Sequence, residues 1–196
     1  MSTPDTQSSY TPPAIASARA IPPGPLRLLT DKFAALNARP ALAEMTAWLS
    51  ELEVGADDLR PYISFKAGTY ARHRVFRNEH IELLVLCWRP GQRTPIHDHN
   101  GSYGVVRVWS GIMWETLFAM DDERGLFYEA GRDWRDGAIT GADVPDIHQL
   151  GNPDVSGQDL ITLHLYAPPL GSLNIYKLGS TESVSTINLN SWNPTI

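Results

Sequence analysis

From residue 70 onward this 196-residue chain is cut into short runs of branched and aromatic residues, a rhythm that narrows the folds open to it more than any other feature. The runs are Ile81–Trp88, Val105–Trp109, Ile112–Ala119, Leu126–Ala130, Ala138–Thr140, Leu160–Ala167, Asn174–Leu178 and Thr186–Leu189. Turn formers separate them, among them Pro90-Gly91, Ser110-Gly111 and Gly151-Asn152-Pro153. So many short strands at this spacing predict a sandwich or barrel. Ahead of them the period changes. Leu28, Leu29, Phe33 and Leu36, then Leu42, Met45, Trp48, Leu49 and Leu52, recur every three to four residues. This predicts two amphipathic helices between Leu26 and Leu59, broken near Arg39-Pro40 and laid against the outside of the β structure. Residues 1–25, with prolines at positions 4, 12, 13, 22, 23 and 25, read as a flexible arm, leaving 26–196 as one domain. The polar tail from Gly179 to Ile196 is expected to wrap the barrel or fray.

A net charge of −6 and a pI near 5.4 provide no basic footprint for nucleic acid. The longest apolar run, Ile81–Trp88, contains Glu82 and is far too short to span a bilayer, so no membrane partner is expected. The first 25 residues lack the basic start and apolar core of an export signal, and one cysteine, Cys87, cannot form an internal disulfide. Both features fit a soluble, cytoplasmic protein, with oligomeric state left open.

Within this β region lies Pro95-Ile96-His97-Asp98-His99. On an extended backbone, side chains two apart share a face, so His97 and His99 can grip one metal ion while Asp98 points away. Gly91, Gly104 and Gly111 frame the pair at spacings that resemble the first cupin motif in all but one position. A metal-ligating glutamate is usual there; this chain has Gly104. The third ligand is expected from His148, whose His-x3-Asn context, His148 to Asn152, resembles the second cupin motif, although Pro145 replaces its usual glycine. His73 and His80, outside any such frame, are read as solvated or internally satisfied. The fold implied is mainly β, a cupin double-stranded β-helix (a jelly-roll barrel) with the N-terminal helices packed outside. Three neutral imidazoles add no negative charge, so the ion stays more positive than beside a carboxylate and favours an anionic ligand such as a thiolate. Zinc also accepts three histidines.

Along Leu160–Ala167 the alternation sets Thr162, His164 and Tyr166 on one face, where three hydrogen-bonding side chains can form a relay. Together with Tyr70-x-Arg72, Cys87-Trp88, the histidine pair, His148 and the closing Pro168-Pro169, this strand resembles the cysteine dioxygenase family of thiol dioxygenases over about Tyr70 to Pro169. The resemblance implies Fe(II) held by His97, His99 and His148, and O2 added to a small thiol to yield a sulfinic acid. It implies that Arg72 binds the substrate carboxylate, a task suited to a guanidinium fork, with Tyr70, Trp88 and Tyr166 lining the substrate site. It further implies that Tyr166 faces substrate or oxygen, that His164 orients its hydroxyl, that Thr162 stands in for the usual serine, and that Ala167-Pro168 is a cis peptide. Animal members carry a cysteine at Gly104 that crosslinks to the tyrosine; glycine here implies no such cofactor and a bacterial-type member. Tyr103 replaces a neighbouring histidine, which leaves that pocket wall open. Arg72 favours L-cysteine over 3-mercaptopropionate, whose dioxygenases usually carry glutamine there, although Arg74 shares its strand face. The alternatives are a dioxygenase for 3-mercaptopropionate or another small thiol, a non-catalytic cupin that binds a metal or small ligand, and a metal-free structural barrel.

Overall fold

The computed structural model describes residues 15–16, 21, 23–142 and 146–189. Helix α1 (Pro25–Ala34) starts with proline at its first position, where the missing N–H costs nothing and φ is already helical. Helix α2 (Leu42–Glu51) is held at its start by Glu44, whose carboxylate accepts the Ala41 N–H at 2.8 Å. The break between them spans residues 35–41 and contains the predicted Arg39-Pro40. A further short turn, α3 (Ala56–Leu59), runs into a 3₁₀ segment, Arg60–Tyr62.

Twelve strands are formed among the described residues: β1 (Ile15–Ala16), β2 (Ala71–Arg77), β3 (Glu82–Trp88), β4 (His97–Asp98), β5 (Tyr103–Ser110), β6 (Ile112–Asp121), β7 (Gly125–Arg135), β8 (Ile139–Ala142), β9 (His148–Gly151), β10 (Leu160–Ala167), β11 (Ser172–Ile175) and β12 (Ser185–Asn188). They form two six-stranded sheets, β1-β2-β3-β10-β5-β8 and β12-β11-β4-β9-β6-β7, the expected mainly β, cupin-type barrel with helices outside. Of residues 1–25, most lie outside the described set, but Ile15–Ala16 pair in parallel with Arg72–His73. Of the polar tail, β12 pairs with β11, and residues 190–196 lie outside the described set.

β3 and β10 are buried on both faces, which is why they read as near-continuous apolar runs. Outward, Leu83, Val85, Cys87, Ile161, Leu163 and Leu165 meet Leu26, Phe33, Met45, Leu49 and Leu59 of the helical layer. Inward, Leu84, Leu86, Trp88, Val106, Val108, Met113 and Leu150 fill the space between the sheets. Each leucine or phenylalanine so enclosed contributes roughly 1.5–3 kcal/mol. One face of the first sheet therefore packs on the helices, and the other faces the second sheet across the barrel interior. The run pattern marks no strand before Ile81, yet β2 begins at Ala71. Two of its inward positions are arginines, so the alternation there does not look apolar. No described helix is long and apolar enough to cross a membrane.

Candidate metal centre

His97 and His99 come from β4 and the residue after it, and His148 opens β9, where it pairs directly with His97 across the ladder. The three imidazoles form a near-equilateral triangle, with ring centroids 5.1, 4.8 and 4.9 Å apart. One ligand atom from each lies within 4.8 Å of the others, and all three residues are buried. Asp98 points away, accepting hydrogen bonds from Tyr176 at 2.7 Å and Asn174 at 3.1 Å.

The outer nitrogens show which way two rings face. His97 Nδ1–H donates to the Pro95 carbonyl at 3.0 Å, and His148 Nδ1–H donates to Glu115 Oε1 at 3.2 Å. The Nε2 atoms of His99 and His148 are buried without a hydrogen-bond partner. Such atoms are costly unless something binds them, and a cation is what a bare imidazole lone pair accepts. Burial, with the neighbouring imidazoles adding to it, lowers His97 to about 3 and holds His99 well below its usual value. Both are therefore neutral and able to ligate. On donor type, convergence and orphaned nitrogens, the residues fit a divalent metal.

Glu115 was not marked by the sequence reading. It sits on β6, buried, and accepts from both His148 and the Trp134 indole, the latter at 2.8 Å. Burial by itself raises its carboxyl, but the His148 hydrogen bond and charge and the Trp134 bond outweigh it, so the group stays below its ordinary range. The available signal was an acid at an inward strand position, in step with Met113. Asp146 Oδ2 stands 3.3 Å from the same His148 nitrogen without hydrogen-bond geometry, and burial raises its carboxyl. Pro145, noted in the second motif, lies outside the described residues.

Opposite the histidines, β10 presents its predicted row. Trp88 Nε1–H donates to Thr162 Oγ1 at 3.0 Å, Thr162 Oγ1 lies 2.8 Å from His164 Nε2, and His164 Nδ1 lies 3.0 Å from the Tyr166 hydroxyl. The Tyr166 ring stands 5.2 Å from His99, and His99, His148, Gly104 and Tyr166 line one narrow pocket. Burial pushes the Tyr166 phenol well above its usual value and lowers His164 to about 3. Both are neutral at physiological pH. Thr162 and His164 stand behind Tyr166 rather than in the pocket.

Arg72, on β2, is buried, and its Nε has no hydrogen-bond partner among the described residues. Its positive charge helps hold His97, His99 and His164 neutral and opposes the rise at Tyr166, which places it beside them. Arg74, on the same strand face, is committed elsewhere: its Nε binds buried Glu82 at 2.8 Å, and Arg77 joins at 3.4 Å. Tyr70 stacks on Trp88 at 4.1 Å.

The structure specifies three positions further. Trp88, read as lining the substrate site, is fully buried behind Tyr70 with its N–H given to Thr162, so it supports the wall rather than forming it. Tyr103, at the wall position left open, lies under the Arg39 guanidinium at 3.8 Å and donates to the Pro40 carbonyl. Gly104 is no open gap. A Cβ there would meet the Tyr166 ring at 2.7 Å, so the tyrosine occupies the space of the missing carboxylate. Cys87, on β3, faces the helical layer with its thiol donating to the Tyr62 carbonyl, His73 contacts Ser64 at 3.0 Å, and His80 lies 3.6 Å from Glu79. Ala167-Pro168 is cis.

The cysteine dioxygenase type I family matches residues 17–178 of the chain. Human cysteine dioxygenase type 1 is 26% identical over 155 residues, 77% of this chain and 76% of that protein. The bovine enzyme is 27% identical over 157 residues, with the same coverage. A solved Klebsiella pneumoniae protein with a double-stranded β-helix domain aligns at TM-score 0.47 and 19% identity, covering 64% of this chain and 96% of that one.

Proposed function

The chain belongs to the cysteine dioxygenase type I family, and from that membership and the site's geometry we propose that it oxidises L-cysteine with O2 to cysteine sulfinic acid, using Fe(II) held by His97, His99 and His148. The observation that carries the substrate class is Arg72. A buried guanidinium with an unpaired Nε beside the three imidazoles calls for a small anion, and a carboxylate matches its fork.

Iron held by His97, His99 and His148 would supply the Lewis acidity that ionises a thiol and the redox chemistry that activates dioxygen beside it, and three uncharged ligands would leave it positive enough to favour a thiolate. The protein's own groups do the rest. Arg72 fixes the carboxylate end, so the sulfur reaches the histidine triangle in one orientation. Tyr70, stiffened by its stack on Trp88, walls the pocket and keeps water from the reacting atoms. Tyr166, ringed by His99 and tied to His164, offers one hydroxyl to substrate or oxygen as charge shifts. Glu115 fixes the ring plane and tautomer of His148. Both oxygen atoms of O2 end on sulfur, which gives up the electrons, so no separate reductant is needed. A single cysteine, Cys87, free and buried, suits an enzyme of a reducing, cytoplasmic compartment.

The test is anaerobic loading with Fe(II), then oxygen uptake and sulfinate detection across L-cysteine, 3-mercaptopropionate and cysteamine. Sulfinate from cysteine in step with oxygen supports the reading. Preference for 3-mercaptopropionate would move the substrate and keep the chemistry. Metal retention without oxygen uptake from any thiol would make this a binding cupin.

A further inference from the structure

We infer that Trp88 sets the direction of the hydrogen-bond chain behind the site, keeping His164 as the Nδ1–H tautomer and turning the Tyr166 hydroxyl proton into the metal pocket.

The direction follows from a count of protons. An indole N–H can only donate, and Trp88 donates to Thr162 Oγ1 at 3.0 Å. Thr162 is fully buried, and among the described residues its hydroxyl hydrogen-bonds two groups, Trp88 and His164. With one side occupied by the incoming indole hydrogen, the hydroxyl's own proton has one acceptor in reach, His164 Nε2 at 2.8 Å. A neutral imidazole that accepts at one nitrogen carries its proton on the other. His164 Nδ1 is then the donor in the 3.0 Å bond to the Tyr166 oxygen. The phenol proton, left with no partner among the described residues, points into the pocket it shares with His99 and His148.

The reverse direction fails the same count. If Tyr166 donated to His164 Nδ1, then Nε2–H would donate to Thr162, which would accept two N–H groups and leave its own hydrogen buried without an acceptor. The low proton affinity of His164, set first by burial and then by the Arg72 charge, excludes the doubly protonated ring that would blur the choice. Trp88 is thus a positioning residue, acting through Thr162 and His164. Its stack on Tyr70 is a separate role, served by the ring faces, whereas the polarity is set by one N–H at the edge.

The consequence for turnover rests on the dioxygenase reading above; the tautomer does not. The test is nitrogen NMR on the ¹⁵N-labelled full-length protein without metal, the His164 signals being those lost in His164→Gln. The expected result is a protonated Nδ1 and a bare Nε2. A protonated Nε2 in the unaltered protein overturns the inference, with no variant needed. Trp88→Phe keeps the ring on Tyr70 but removes the donor, freeing the Thr162 hydroxyl to turn. A growing Nε2–H population and, with iron, about a tenfold lower kcat at unchanged KM are expected. An unaltered tautomer in Trp88→Phe would remove Trp88 from the polarity. A protonated Nδ1 in a protein that oxidises no thiol would sustain the hydrogen-bond direction and sink the dioxygenase reading.

Discussion

Glu115→Gln tests how the metal centre is held. Two N–H donors converge on this one side chain, His148 Nδ1 at 3.2 Å and Trp134 Nε1 at 2.8 Å. A carboxylate meets both because it has two acceptor oxygens, and its lowered pKa keeps it ionised at neutral pH. Glutamine has the same shape and one acceptor fewer. Whichever way the amide turns, an N–H faces an N–H in a site only 4% exposed. One buried donor left without its partner costs about 1–3 kcal/mol. Where the loss falls on His148, metal affinity drops roughly fivefold to 150-fold, taking about 1.4 kcal/mol as tenfold. Where it falls on Trp134, the same energy appears as lost stability toward urea. Chelator competition on the metal-loaded protein and urea denaturation of the metal-free protein read the two cases. A variant unchanged in both would refute the reasoning, since it would mean the carboxylate is not the acceptor for these donors.

Four further outcomes are expected. Gly104→Ala places a methyl 2.7 Å from Tyr166 Cε1, forcing the ring to shift and strain its bond to His164; the overpacking should cost about 1–3 kcal/mol in urea denaturation and slow turnover, and unchanged values would show a freely yielding ring. Arg72→Ala should raise KM for cysteine roughly tenfold to 150-fold, from about 1.5–3 kcal/mol of lost charged hydrogen bonding, and leave cysteamine unaffected; equal KM for cysteine in both proteins would remove the anchor. His164 is held at about 3 by burial and the Arg72 charge, against about 6.5 when unfolded, so between those pH values the unfolded metal-free chain binds the extra proton. Its contribution is whole above pH 6.5 and falls by about 1.4 kcal/mol per unit on acidification; denaturation of the parent and His164→Gln at pH 7 and 5 should differ by that slope, and parallel losses would contradict it. Burial raises the Cys87 thiol to about 11, so alkylation at pH 8 should follow unfolding, and rapid labelling of the folded protein would place Cys87 elsewhere.

Local periodicity was enough for the parts whose neighbours lie close in sequence. Alternation along Leu160–Ala167 put Thr162, His164 and Tyr166 on one face, and they stand in contact there because residues two apart on a strand always share a side. The pair His97 and His99 was legible for the same reason, as was the helical layer before Leu59, where a three-to-four spacing is imposed by the helix itself. Shorter or polar elements escaped: β4 has two residues and β9 four, too few to show a period, and β2 turns arginines inward.

Tertiary structure decided what depends on register between distant strands. Trp88 meets Thr162 across 74 residues and Glu115 meets His148 across 33, contacts set by how strands pair and not by any local pattern. Arg72 and Arg74 look alike along β2, and the position of Glu82 on the next strand leaves only Arg72 without an ion pair. Glycine at 104 shows in the sequence only that a usual carboxylate is missing; packing decides that the Tyr166 ring stands in its place. A chain records which side each residue faces; which partner waits on that side is settled only when the sheets close.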